Sequence, residues 1–203
     1  MKRKVSRNNN DSSGADTDPL AAALDLQAWC QRRGWSFCFI GGLAIQRWGE
    51  PRFTKDADMT LLTSISDDAE FADALLAEFE PRYPDMREFA LRSRILLLRH
   101  ASGVPLDIAL GALDFERRSV ARASMWAIRE GQNLMTCSAE DLLVHKVFAG
   151  RPLDWKDAEG IIARQGNKLN RSQVFAELEV LAEFKETVDF ISPLQRLFRE
   201  ILG

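Results

Sequence analysis

Two aspartates, Asp56 and Asp58, stand two residues apart in the stretch Pro51 to Thr63, which reads as extended chain. Side chains alternate with a period of two in an extended chain, so both carboxylates point to one face. Like charges facing one way repel, and burying them unpaired is costly. A divalent cation removes that cost, and magnesium, which takes oxygen ligands and keeps positions for water and substrate phosphates, suits the pair. D-x-D alone is also a common surface-strand pattern. A third aspartate adds weight: Asp107 interrupts the apolar run V-P-L-D-I-A-L, with Leu106 and Ile108 facing the other way. If that strand lies beside the one carrying Asp58, three carboxylates converge. Three such groups hold two magnesium ions, which clamp the attacking and leaving oxygens of an in-line phosphoryl displacement. The alternative is three separate surface aspartates.

Other residues have the chemistry to serve a phosphate. Gly41-Gly42 lies between an apolar strand and a short helix. Glycine there lets backbone approach a phosphate closely, and the helix start offers free N–H groups; a tight strand-to-helix turn explains it equally. Arg52 and Thr54 precede Asp56 at the same two-residue interval, so Arg52 reaches a phosphate, pairs with the aspartates or forms a structural ion pair. Lys146 shares the inward stripe of Leu142, Leu143 and Val147, and a lysine there snorkels outward or meets an anion. Arg151 follows Gly150, and Asp154 and Asp157 lie on the apolar stripe of Ala158, Ile161 and Ile162; a Lys146–Asp157 bridge is the structural alternative.

Arginines crowd two stretches, Arg82 to Arg99 and Arg117 to Arg122, and read first as solvated surface. His145 points about 100° away from Lys146 on a helix, and both it and His100 read as structural. Cys30, Cys38 and Cys137 are odd in number with no C-x-x-C pair, which argues against disulfides and zinc and for buried thiols.

The elements that position these groups follow from periodicity. Residues 1–17 are too polar to bury anything and are expected to be a disordered tail. Asp18-Pro19 opens a helix ending before Gly34; Ser36 to Ile40 is a buried strand, and Leu43 to Trp48 a short helix. Asp67 to Phe79 is helical, and Pro81 and Pro84 break the chain. Strands at 95–99 and 104–110, a helix at about 113–123 and a hairpin around Gly131 follow. From Ser138, which forms a capping box with Asp141, the chain is helical nearly to its end. The expected fold is α/β (α+β): a core over 18–136 with a small mixed sheet flanked by helices, then a C-terminal helical region over 137–203.

The bulk properties exclude several classes. The chain has 203 residues, 46% apolar, with net charge −3, so it has a real core and no overall nucleic-acid-binding charge. No apolar run is long enough to span a bilayer, and the basic, polar start lacks the apolar segment of a secretory signal, so a cytoplasmic protein is expected.

The string GGLAIQRWGEPRFTKDADMTL, followed by VPLDIAL, resembles the signature of the DNA polymerase β-like nucleotidyltransferase superfamily. That resemblance implies a nucleotidyltransferase fold and transfer of a nucleoside monophosphate from a nucleoside triphosphate to an acceptor hydroxyl, with two magnesium ions. It implies that Asp56 and Asp58 bind both ions, while Asp107 binds the catalytic one and helps activate the acceptor. Gly42 stands where many members have serine. The string SAEDLLVHKVFAGRPLDWKDAEGI is similar to C-terminal motifs of the AbiEii-type toxin branch, which implies that Lys146 and Arg151 read the triphosphate and Asp157 completes the site. A toxin of this kind implies an RNA or tRNA acceptor and a cognate antitoxin. A small-molecule antibiotic adenylyltransferase and a non-catalytic nucleotide-binding module are the alternatives. The intact trio of aspartates disfavours the module, because converging carboxylates are useful mainly with metal.

Overall fold

A computed structural model describes residues 18–184 and 189–203; the expected tail at 1–17 lies outside them. The first helix, α1 (Pro19–Arg32), starts as the sequence indicates, with Asp18 accepting a hydrogen bond from Leu20 N–H at 2.9 Å and proline at the first position. There follow β1 (Phe37–Phe39), α2 (Gly41–Trp48), β2 (Ala57–Leu62), α3 (Asp68–Glu78), β3 (Glu80–Pro81), α4 (Met86–Ser93), β4 (Ile95–Arg99) and β5 (Pro105–Gly111). Then come α5 (Asp114–Ala121), the hairpin β6 (Ser124–Arg129) and β7 (Gln132–Thr136), and the helices α6 (Ala139–Ala149), α7 (Pro152–Gln165), α8 (Arg171–Ala182) and α9 (Ile191–Leu202).

The strands form one mixed sheet in the order β3-β4-β5-β2-β1-β7-β6. β2 and β5 are parallel neighbours at its centre, while β4 runs antiparallel to β5 and β1 antiparallel to β2. Period-two alternation divides the sheet faces. Ala57, Met59 and Leu61 of β2, Leu96 and Leu98 of β4, and Leu106, Ile108 and Leu110 of β5 enter a core shared with α1, α3 and α4. The intervening residues, Asp58, Leu97 and Asp107 among them, are left to the other face. A second core gathers Ala44 and Ile45 of α2, Phe115 of α5 and the inward residues of α6 to α9. The C-terminal helices thus pack directly on the strand-to-helix turn that begins α2, which places Lys146 near the aspartates.

Several sequence expectations are corrected. The extended stretch 51–63 is regular only from Ala57 onward, so Asp56 sits in the bend before β2. The segment after Pro84 carries a helix, α4, that the prolines concealed; Met86 and Ala90 are its buried residues. Ser138 caps α6 by accepting from Asp141 N–H at 3.1 Å, but Asp141 does not reciprocate to the backbone. Its carboxylate takes the Ser138 hydroxyl and the Arg122 guanidinium instead.

The arginine stretches are also not plain solvated surface. Arg94 is paired with buried Asp68, Arg118 with buried Glu177, and Arg122 with both Glu177 and fully buried Asp141. Among the described residues no helix is long and apolar enough to cross a membrane. Cys30, Cys38 and Cys137 are buried free thiols, and burial pushes the first two up to about 12.

Candidate active site

The parallel pairing of β2 with β5 sets Asp58 directly opposite Asp107. Asp56, from the bend, joins them, and the three residues present carboxylate oxygens all within 4.8 Å of one another. Burial and the charges of Asp56 and Asp107 push the Asp58 carboxyl up to about 6. Asp107 is raised too, by burial first, against the Arg82 charge that lowers it. Mutual repulsion of this kind is relieved by a cation, and the donors are all hard oxygens, so the residues present fit magnesium.

The two glycines make room for these acids. A Cβ on Gly41 would stand 1.9 Å from Asp58 Oδ2, and its φ of +59° is a left-handed backbone angle that disfavours other residues. The Gly42 backbone N–H lies near enough to the Asp58 carboxyl to lower it, against the burial and neighbouring acids that raise it. A Cβ on Gly42 would stand 2.2 Å from Thr54 Oγ1. The Thr54 hydroxyl in turn donates to Asp56 Oδ1 at 2.7 Å and so orients it. Glycine in place of the serine suggested by the family resemblance thus has a local cause: threonine occupies the space.

On the facing side, α6, the start of α7 and the loop before β2 supply a chain of alternating charge. Arg52 grips Asp157 with Nε and Nη2, at 2.8 and 2.9 Å. Lys146 Nζ bridges Asp157 Oδ2 at 2.9 Å and Asp154 Oδ1 at 3.0 Å. Arg151 Nε closes the chain on Asp154 Oδ2 at 2.6 Å. Both aspartates titrate below the usual carboxylate range because these cations outweigh the opposing effect of burial. Three cations against two anions leave the chain net positive, facing the trio. A cavity of about 300 Å³ lies between, lined by Gly42, Arg52, Thr54, Asp56, Asp58, Asp107, Lys146, Arg151, Leu153 and Asp154.

The structure therefore brings Asp56, Asp58, Asp107, Gly42, Arg52, Lys146 and Arg151 to one cavity. Asp157 stands behind Lys146, buried, and is not among the residues that line it. Arg52 pairs with Asp157 and not with the trio. Asp154 shares Lys146 with Asp157, and its position three residues before Asp157 on one helical stripe was the only sign of it. Arg82, whose Nη2 donates to Asp107 Oδ1 at 2.6 Å, stood out in the sequence only as part of an arginine-rich stretch read as surface. His145, half-buried, packs edge-on against Phe115, and desolvation lowers it to about 4, in keeping with a structural role.

The family described as nucleotidyl transferase AbiEii toxin, type IV toxin–antitoxin system, matches residues 25–158, a span that includes all of these side chains. An antigenic nucleotidyltransferase-like protein from Paracoccidioides brasiliensis shares the fold at TM-score 0.52 and 14% identity, over 92% of this chain and 95% of that one. The antibiotic-resistance factor ANT(2'')-Ia aligns at TM-score 0.49 and 14% identity, over 82% of this chain and 92% of its own. The lincosamide antibiotic adenylyltransferase LnuA, in a lincomycin-bound structure, aligns at 0.47 and 12%, over 70% and 94%. Curated protein sequences give no significant match.

Proposed function

The chain belongs to the AbiEii nucleotidyl transferase family, and we propose that it moves a nucleoside monophosphate from a nucleoside triphosphate to an acceptor hydroxyl at the Asp56–Asp58–Asp107 site. The observation that carries this reading is the convergence of three carboxylates opposite the net-positive Lys146 network in one cavity. Asp56, Asp58 and Asp107 would hold two magnesium ions, which supply neutralisation of the charge spread over the transferring phosphoryl group.

The chain's own groups do the rest. Lys146 and Arg151 draw the polyanionic triphosphate to the cavity wall, and Asp157 with Arg52 fixes Lys146 from behind. Thr54 holds Asp56 in orientation through its hydroxyl. Asp107 takes the proton of the acceptor hydroxyl. The acceptor oxygen then bonds to the α-phosphorus, the bond from that phosphorus to the bridging oxygen breaks, and pyrophosphate leaves. The family's description as a toxin of a toxin–antitoxin system supports a cognate antitoxin as partner; for such a toxin the acceptor proposed is RNA, with tRNA first.

The test is to incubate the full chain with each α-labelled nucleoside triphosphate, magnesium and either total RNA or a panel of aminoglycosides. Label entering RNA is expected. Label on a drug would replace RNA by a small-molecule acceptor, and nucleotide binding without any transfer would leave a binding module. Asp58→Ala should abolish transfer with the circular dichroism spectrum unchanged; an active Asp58→Ala protein refutes the carboxylate site.

A further inference from the structure

Arg82 lies outside every motif the sequence offers, yet it bonds one of the three carboxylates. Its backbone N–H donates to Leu97 O at 3.0 Å, Leu97 pairs with Asp107, and Asp107 pairs with Asp58. One row of residues therefore crosses the sheet from Arg82 to Asp58, and the Arg82 side chain reaches Asp107 over Leu97. The contact is a single point, Nη2 to Oδ1 at 2.6 Å.

Other arginines in this protein grip their carboxylates differently. Arg52 on Asp157, Arg118 on Glu177 and Arg122 on Asp141 all use Nε together with an Nη2. Such fork pairing engages both carboxylate oxygens, whereas a one-point bond holds one and leaves the other for a second ligand. Arg82 Nε is buried and has no hydrogen-bond partner. A fork grip on Asp107 would satisfy that donor, and leaving it unsatisfied has a cost. Arg94 also meets Asp68 at one point, but its other nitrogens bond Leu110 O and Thr63 Oγ1; Arg82 is kept short of the fork with its Nε left unpartnered.

We propose that Arg82 is a positioning residue for the reaction, holding one oxygen of Asp107 so that the other is left for a divalent cation shared with Asp56 and Asp58. The role rests on the nucleotidyl-transfer reading. It has two consequences of opposite sign. Holding the carboxylate in orientation favours turnover. The guanidinium charge, sharing a carboxylate with the cation, weakens cation binding by direct repulsion. Loss of fold or of general site structure would instead weaken cation binding and slow turnover together.

The experiment titrates the full-length protein with Mn²⁺ alone, followed by electron paramagnetic resonance, in wild type, Arg82→Met, Arg82→Lys and Asp107→Asn. Arg82→Met should bind Mn²⁺ roughly tenfold more tightly, the scale of repulsion between a unit charge and a divalent ion over a few ångström in water. In the transfer assay it should turn over several-fold more slowly at saturating triphosphate, with KM for the triphosphate unchanged. Arg82→Lys, which keeps the charge, should return Mn²⁺ affinity to near wild type. Unchanged or weaker Mn²⁺ binding by folded Arg82→Met overturns the proposal, as does wild-type turnover. Arg82→Gln reads the charge effect if Arg82→Met does not fold. Absence of Mn²⁺ binding by the wild type, with Asp107→Asn no different, would instead overturn the carboxylate site and the Arg82 role with it.

Discussion

Gly42 and Thr54 contend for one space, and Gly42→Ser measures the contest. The new Cβ would stand 2.2 Å from Thr54 Oγ1 and 2.7 Å from Thr54 Cβ, where ordinary contact begins near 3.4 Å. Threonine must therefore retreat by about an ångström, in a site where it is buried. Crowding of this kind costs about 1–3 kcal/mol. Retreat also breaks the 2.7 Å bond from the hydroxyl to Asp56, and a hydrogen bond to a charged group contributes about 1.5–3 kcal/mol. Gly42→Ser is thus expected to destabilise the chain by about 2.5–6 kcal/mol in urea unfolding and to reduce transfer, because Asp56 loses its orienting partner. Thr54→Gly removes both crowding atoms, Oγ1 and Cβ. In the double variant Gly42→Ser/Thr54→Gly the crowding vanishes and the Asp56 hydrogen bond is lost once rather than twice, so the two changes should couple favourably by about 2.5–6 kcal/mol. A Gly42→Ser protein within about 0.5 kcal/mol of wild type, or a double variant that is simply additive, would show that the two side chains do not share the space.

Two further perturbations test the charges. The Asp58 carboxyl, raised to about 6 by burial and its acidic neighbours, prefers its proton in the folded state, so the metal-free chain should lose stability as pH rises from about 4 to about 6 and stay level above. Asp58→Asn should then stabilise the metal-free protein by about 2–3 kcal/mol at pH 8, with the gain fading below pH about 4; a less stable variant at pH 8 contradicts this. Lys146→Met leaves buried Asp154 and Asp157 each short of a partner and should cost about 3–5 kcal/mol in urea unfolding. Unchanged unfolding with triphosphate binding lost would mean that Lys146 serves the ligand alone.

The sequence by itself determined whatever depends on local periodicity and residue type. The cap at Asp18-Pro19, the hairpin around Gly131 and the helical run after Ser138 are local patterns, and the structure repeats them. The alternation in V-P-L-D-I-A-L placed Asp107 on the face opposite Leu106 and Ile108, whereas Asp56 meets Asp58 from the bend before β2 and not through strand spacing. The mixed α/β fold and the nucleotidyltransferase family were both legible in these strings. Helix α4 was hidden because two prolines, dense charge and only two buried residues give it a faint apolar stripe.

Tertiary structure alone decided which groups meet. That Asp58 stands opposite Asp107 depends on β2 and β5 pairing in parallel in one register, a contact between segments far apart in the chain. Whether Lys146 faced solvent, a phosphate or an aspartate was open in the sequence. The packing of α6 on α7 gave it two aspartates, because an ammonium so deeply buried requires counter-charges within hydrogen-bond reach. Arg82 reaches Asp107 only because β4 lies between them in the sheet. Residue types and spacing fix the available chemistry; strand register and helix packing choose the partner of each charge, since ion pairs form between side chains that folding brings together.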